Sequence, residues 1–299
     1  MDNRSEIREY LASRRAKITP AQAGLPAFGG NRRLPGLRRE EVAMLAGVSV
    51  DYYTRLERGN FGDVSPGIWE AIARALQLDE AEREHLLHLA QANSSPRPRR
   101  RSGTSLVRPT VQRILDAITD APAMVRNTRR DLLASNALGG ALYSDVYLEQ
   151  AERPVNLARY VFLSERSKAF FPDWSKAAGD MVANLRHEAG RDPYDKGLTD
   201  LVGELSVRSE EFRRRWAAHN VRFHNSGVKN LHHPVVGDLT LTYEAMELPA
   251  DPGLSLTVYG AEPGSSSADA LRLLASWASS RDAAALAVDR PATAEAEAG

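Results

Sequence analysis

The 299-residue chain contains no cysteine, which excludes disulfides, thiolate metal sites and a catalytic thiol and fits a cytoplasmic setting. Long apolar runs are also missing: none reaches the ~20 residues needed to cross a bilayer. The opening Met1-Asp2-Asn3-Arg4-Ser5-Glu6 lacks the apolar core of a secretory signal. No Gly-x-x-x-x-Gly-Lys phosphate loop and no Gly-x-Ser-x-Gly elbow occur, and His187-Glu188 is not followed by a second histidine at zinc-protease spacing. The sequence therefore reads as a non-enzyme with no cofactor and no metal. Net charge is absent as well, because 39 Lys+Arg balance 39 Asp+Glu. That balance hides a division. Residues 1–108 carry 18 basic and 13 acidic side chains, a surplus of +5, and the remainder carries −5. A basic excess confined to one half is what phosphate binding by that half requires.

Within the basic half, residues 37–59 read as two short helices around a tight turn. Val42 and Leu45 share one helical face, as do Tyr53 and Leu56, and with Val48 they form the expected inner side. Gly47 sits where a sharp turn needs positive φ. Ser49 supplies an N-cap hydroxyl, and Gly59 stands where a left-handed cap closes the second helix. Val50, Asp51, Thr54 and Arg55 then share the outer face at the start of the second helix, where a helix entering a major groove meets base edges. Arg39, at the start of the preceding helix, is placed to reach a phosphate or a flanking base. The DNA-binding set expected from sequence is thus Arg39, Ser49, Val50, Asp51, Thr54 and Arg55. These residues resemble the helix-turn-helix of the Xre, lambda-repressor-like family, with Glu-Glu-hydrophobe-Ala, then Gly-Val-Ser, then Leu-Glu-Arg-Gly. The likeness departs at Arg39, where that family often carries Gln.

Around this motif the spacing predicts a helix over 4–15, with Ile7, Tyr10 and Leu11 inward, and another after Ser65-Pro66 carrying Ile68, Ile72 and Leu76. A fifth carries Leu86, Leu87 and Leu89. His85 and His88 lack a third ligand and read as core or surface histidines. The Gly- and Pro-rich loop 20–36 holds Arg32 and Arg33, which either follow a phosphate backbone or are simply solvated. Residues 93–108, with four arginines among Ser, Pro and Gly over 93–103, form a linker. The division expected is a head over 1–92, the linker, a second domain over 109–282 and a disordered Ala/Glu-rich tail over 283–299.

The second domain mixes periods. Helices are expected over 111–118, 136–142, 153–163, 174–186, 198–205, 210–218 and 268–281. Strands are expected over 122–126, 131–135, 221–225, 229–236, 239–248 and 254–259, with Gly237-Asp238 as a two-residue hairpin turn. The economical packing is an antiparallel sheet with helices on one face, so the chain is α+β overall. The runs Asp131-Leu132-Leu133-Ala134-Ser135-Asn136-Ala137, Trp216-Ala217-Ala218-His219 and His233-Pro234-Val235-Val236-Gly237-Asp238-Leu239-Thr240-Leu241 are similar to the MmyB-like ligand-binding domain, as are Tyr243-Glu244, Leu248-Pro249 and Ala261-Glu262-Pro263-Gly264-Ser265. The resemblance implies a PAS-like sensor fold binding a small, largely apolar effector of the fatty-acid class.

Arg126, Asn136, Trp216, His219 and Arg222 lie at the ends of predicted elements and are the candidate ligand-binding residues. Arg126 or Arg222 would meet a carboxylate head group. Each also has a plain structural use, Asn136 as a cap and Trp216 as core. His219, His224, His232 and His233 crowd the sequence, but His232 and His233 point to opposite faces of a strand, which argues against one site. The expected protein is a cytoplasmic transcription regulator with no membrane partner. It reads a double-stranded DNA operator as a homodimer and senses a lipid-like effector. Two other readings of the second domain stay open: a dimerisation module only, or an enzyme domain.

Overall fold

In the computed structural model the described residues are 3–26, 35–60, 64–94, 107–220 and 226–288. The head begins with α1 (Asn3–Lys17), α2 (Arg39–Ala46), α3 (Val50–Glu57), α4 (Pro66–Ala75) and α5 (Glu80–Ser94), the five helices expected. Ile7, Leu11, Val42, Tyr53, Leu56, Ile72 and Leu86 close into its core. One expectation is corrected here. The buried residues of α2 are Val42, Ala43 and Ala46, so Leu45 turns outward and is 37% exposed beside Met44.

Beyond the linker come α6 (Pro109–Ala117), β1 (Ala123–Asn127), β2 (Leu132–Ser135), α7 (Ala137–Leu142), α8 (Ser144–Glu149), α9 (Leu157–Leu163) and α10 (Ser167–Phe170). They are followed by α11 (Trp174–Arg191), α12 (Lys196–Arg208), α13 (Glu210–Ala217), β3 (Ser226–His233), β4 (Gly237–Glu247), β5 (Leu254–Gly260) and α14 (Ser266–Val288). The antiparallel sheet runs β2-β1-β5-β4-β3. On one face, α6 supplies Val111 and Leu115 to Ala123, Val125, Leu256 and Val258.

Several boundaries move. The helix expected over 153–163 starts only at Leu157. Before it, the Val155 carbonyl accepts from the Leu132 amide at 2.9 Å, and Asn156 bridges to Asp131, so the chain is held extended. The short α8 and α10 were not foreseen. The hairpin turn is Pro234-Val235-Val236, three residues rather than Gly237-Asp238. Pro234 has no amide to continue the ladder, and Gly237, at φ 75°, pairs with His233 and opens β4. The closing helix α14 carries on to Val288, through the first part of the expected tail. Arg32, Arg33, Arg97, Arg99, Arg100, Arg101, the strand expected over 221–225, Arg222, His224 and residues 289–299 lie outside the described residues.

The chain separates into two compact units, residues 1–102 with 175–224, and residues 103–174 with 225–299. The helical segment α11–α13 therefore packs with the head and not with the sheet.

Candidate DNA-reading face and effector site

The turn before α3 forms as its residue types require. Gly47 adopts φ 68° at the end of α2, and the Ser49 hydroxyl accepts from the Tyr52 amide at 3.1 Å. With Tyr53, Leu56 and Glu57 buried, α3 leaves Val50 (46% exposed), Asp51 and Arg55 outside and Thr54 half-buried. The Arg55 guanidinium lies 5.4 Å from the centre of the Tyr52 ring, which steadies it without consuming its donors. Arg39 is half exposed and is held from behind by Glu57, whose carboxylate also takes Arg15 of α1 at 2.8 Å. Arg15 donates further to the Leu37 carbonyl at 2.9 Å. Glu57 escaped the sequence reading. An acid on the apolar side of α3, next to Leu56, is the signal that marks it, because a buried carboxylate needs cations.

In the second unit, strand register gathers a different set. Opposed pairs Met124–Thr257, Arg126–Ser255 and Tyr243–Tyr259 place these side chains on the sheet face away from α6. The Tyr259 hydroxyl meets that of Tyr143 at 2.8 Å, at the end of α7. Burial pushes both phenols above the ordinary tyrosine range, so they stay protonated and remain hydrogen-bond donors. Arg126 is buried (8% exposed), and its described hydrogen bond is a long one, 3.4 Å to the Ser255 hydroxyl. Among the described residues no carboxylate pairs with it. The Thr257 hydroxyl is fully buried and has no hydrogen-bond partner there. The sheet face away from α6 thus carries a buried guanidinium and an unsatisfied buried hydroxyl, both groups that favour a hydrogen-bonding partner. Thr257 was missed, although alternation along Ser255, Thr257 and Tyr259 marks a single face.

The other sequence candidates are used differently. Asn136 caps α7 through the Gly139 amide at 2.7 Å and accepts from the Ala123 amide at 3.0 Å. It also donates to the Ile118 and Ala121 carbonyls at 2.6 and 2.8 Å. Its side chain is spent on tying β1 to α7. Trp216 and His219 belong to the first unit, whereas Arg126 and Asn136 belong to the second. Trp216 stacks on Phe212 at 5.5 Å, and His219, at φ 51°, lies near Glu6 and Glu9 of α1. His233 is buried, and its Nε2 lies 3.1 Å from the Ala141 carbonyl, while His232 is exposed and pairs with Asp238 at 2.6 Å. Among the described residues no cluster of three or more His, Asp or Glu side chains is arranged to hold a metal ion, and no helix is long and apolar enough to cross a membrane.

Residues 107–274 match the family model of the MmyB-like transcription regulator ligand binding domain, and residues 6–86 match that of a helix-turn-helix domain. No curated protein matches the chain.

Proposed function

Since the chain belongs to the family of the MmyB-like transcription regulator ligand binding domain and carries a helix-turn-helix head, we propose that it is a cytoplasmic regulator whose DNA binding answers to a fatty-acid-like effector. In this reading α3 enters the major groove. Val50, Asp51, Thr54 and Arg55 meet base edges there, and Arg39 and the Ser49 end of the helix meet the backbone. One such helix reaches few base pairs, so the active species is a homodimer on a pseudo-palindromic operator. The sheet unit is a PAS-like sensor, a reading supported by its strand order, with β1 and β5 side by side at the centre. The effector lies against the face that carries Met124, Thr257 and the tyrosines, with its carboxylate on Arg126. Regulation follows if the effector binds the DNA-competent and incompetent arrangements with unequal affinity.

The observation that carries this reading is Arg126, a buried cation with no anionic partner among the described residues. Native mass spectrometry of the purified chain is expected to show an adduct with a fatty-acid mass, and calorimetry to show binding of dodecanoate. Arg126→Gln should weaken that binding by about 1.5–3 kcal/mol, the range for a hydrogen bond to a charged group. Unchanged affinity in the variant removes Arg126 from the site. No adduct and no dodecanoate binding by the parent chain removes the fatty-acid class.

A further inference from the structure

The helices α11–α13 lie inside the span matched by the ligand-binding family model, yet they pack in the same compact unit as the head. What joins them to α1 is charge. Glu6, Tyr10, Arg14 and Lys17 form a stripe at helical spacing along α1. Arg186 of α11 is 1% exposed. It pairs with Glu6, donates to the Trp216 carbonyl, lies 4.1 Å from the centre of the Trp216 ring and meets His219 Nδ1 at 3.0 Å. Arg14 donates to the His219 carbonyl and pairs with Glu82 of α5. Lys17 reaches the Ala218 carbonyl at 3.1 Å and the Asn220 side chain at 2.5 Å. Three cations thus converge on the carbonyls of Trp216 in the last turn of α13 and of Ala218 and His219 just after it, where the helix dipole favours positive charge.

The opposite side of the same helix α1 meets α3, whose outer face is the candidate DNA-reading one. Arg15 grips Glu57 of α3, and Glu57 grips Arg39. Two sets of ion pairs therefore meet on α1: one joins the α11–α13 arm to it and the other joins it to Arg39, and the α1 helix itself is the link between them. We propose that the α11–α13 arm is a control element for DNA binding. Clamped on α1 at Glu6, Arg14 and Lys17, it sets the position of Arg39 through Arg15 and Glu57, and its release loosens that cation. Breaking a buried pair from one side leaves an uncompensated charge, so opening this contact is costly and cutting Glu6 should be felt along the whole clamp. The inference goes beyond the effector reading above and stands whatever the effector is.

The test is a double-mutant cycle in the full chain, read as affinity for a duplex that the parent chain enriches from a random-sequence pool. Glu6→Gln is expected to weaken binding about tenfold in the parent and less than about twofold in an Arg39→Ala background. In an Arg55→Ala background, which the relay does not include, the effect should remain about tenfold. Hydrogen exchange should rise by at least about tenfold over α11–α13 and stay unchanged over β1 and β5. Should Glu6→Gln fail to fold, Lys17→Ala opens the exposed end of the clamp and should give the same pattern at about threefold. Equal effects of clamp opening with and without Arg39 overturn the proposal, as does an arm that exchanges no faster once the clamp is cut.

Discussion

Arg55 and Arg39 are both basic and both near the proposed DNA face, yet their surroundings differ. Arg39 is braced by a buried carboxylate, so much of its charge is answered within the protein before DNA arrives. Arg55 leans on an aromatic ring and keeps its fork of donors free to meet the two acceptors of a guanine. Arg55→Ala is therefore expected to weaken operator binding by about 1–3 kcal/mol and to relax preference at one base pair. Competition binding against single-position operator variants checks this. An equal loss on specific and random DNA would mark Arg55 as a phosphate contact. The same logic separates Arg126 from Arg186. Both guanidinium groups are buried, but Arg186 is answered by Glu6, whereas Arg126 meets, among the described residues, a hydroxyl at long range and no carboxylate.

At the scale of elements, two helical glycines should respond to alanine with opposite signs. A Cβ on Gly139 of α7 would stand 2.4 Å from the Ala123 carbonyl oxygen, a backbone atom that cannot swing aside. Gly139→Ala should destabilise the sheet unit by about 1–3 kcal/mol. Gly203 of α12 has open space around the same position, so Gly203→Ala should stabilise its helix by up to about 1 kcal/mol. Denaturant melts of the two variants decide both signs. The head was legible in the sequence because its signals are local: turn glycine, capping serine and apolar spacing all fall within residues 37–59. Strand β4 was legible for the same reason, through its alternation. What was not legible is partnership over long separations. Arg186 reads as one more arginine on a helix, and nothing near it in sequence announces Glu6. Position at the end of an element is likewise not position in space, and so Trp216 and His219 were grouped with Arg126 although they belong to another unit.

For the molecule as a whole, acid is the condition under which the stabilities of the two units should diverge. His85 of α5 is fully buried between Tyr10 and Gly190, and burial first, then the Arg186 charge, holds its pKa well below the ordinary histidine range. The charged and titratable groups around it are Glu6 and Arg14 of α1 and Arg186 and His187 of α11. In the sheet unit burial likewise lowers His233. A histidine kept neutral in the fold but protonated in the unfolded chain means that the unfolded state binds more protons below about pH 6.5, so stability falls there as pH falls. Both units should lose stability over that first interval. Glu6 then distinguishes them. Burial works against its carboxylate, but the His219 hydrogen bond and the Arg186 charge outweigh it and hold its pKa at about 2. Its contribution is present above the ordinary carboxyl value and disappears as pH drops from about 4.5 toward 2, at most ~3 kcal/mol and only in the unit with the head. Hydrogen exchange at a series of pH values should therefore show α1, α5 and α11 opening below pH 4.5 before β1 and β5 do. Glu6→Gln should remove that lag while leaving the earlier loss in place, and His85→Gln should flatten the decline between pH 6.5 and 5 in the head alone. Simultaneous opening of both units at every pH in the parent chain would mean that the Glu6 pair holds nothing in particular together.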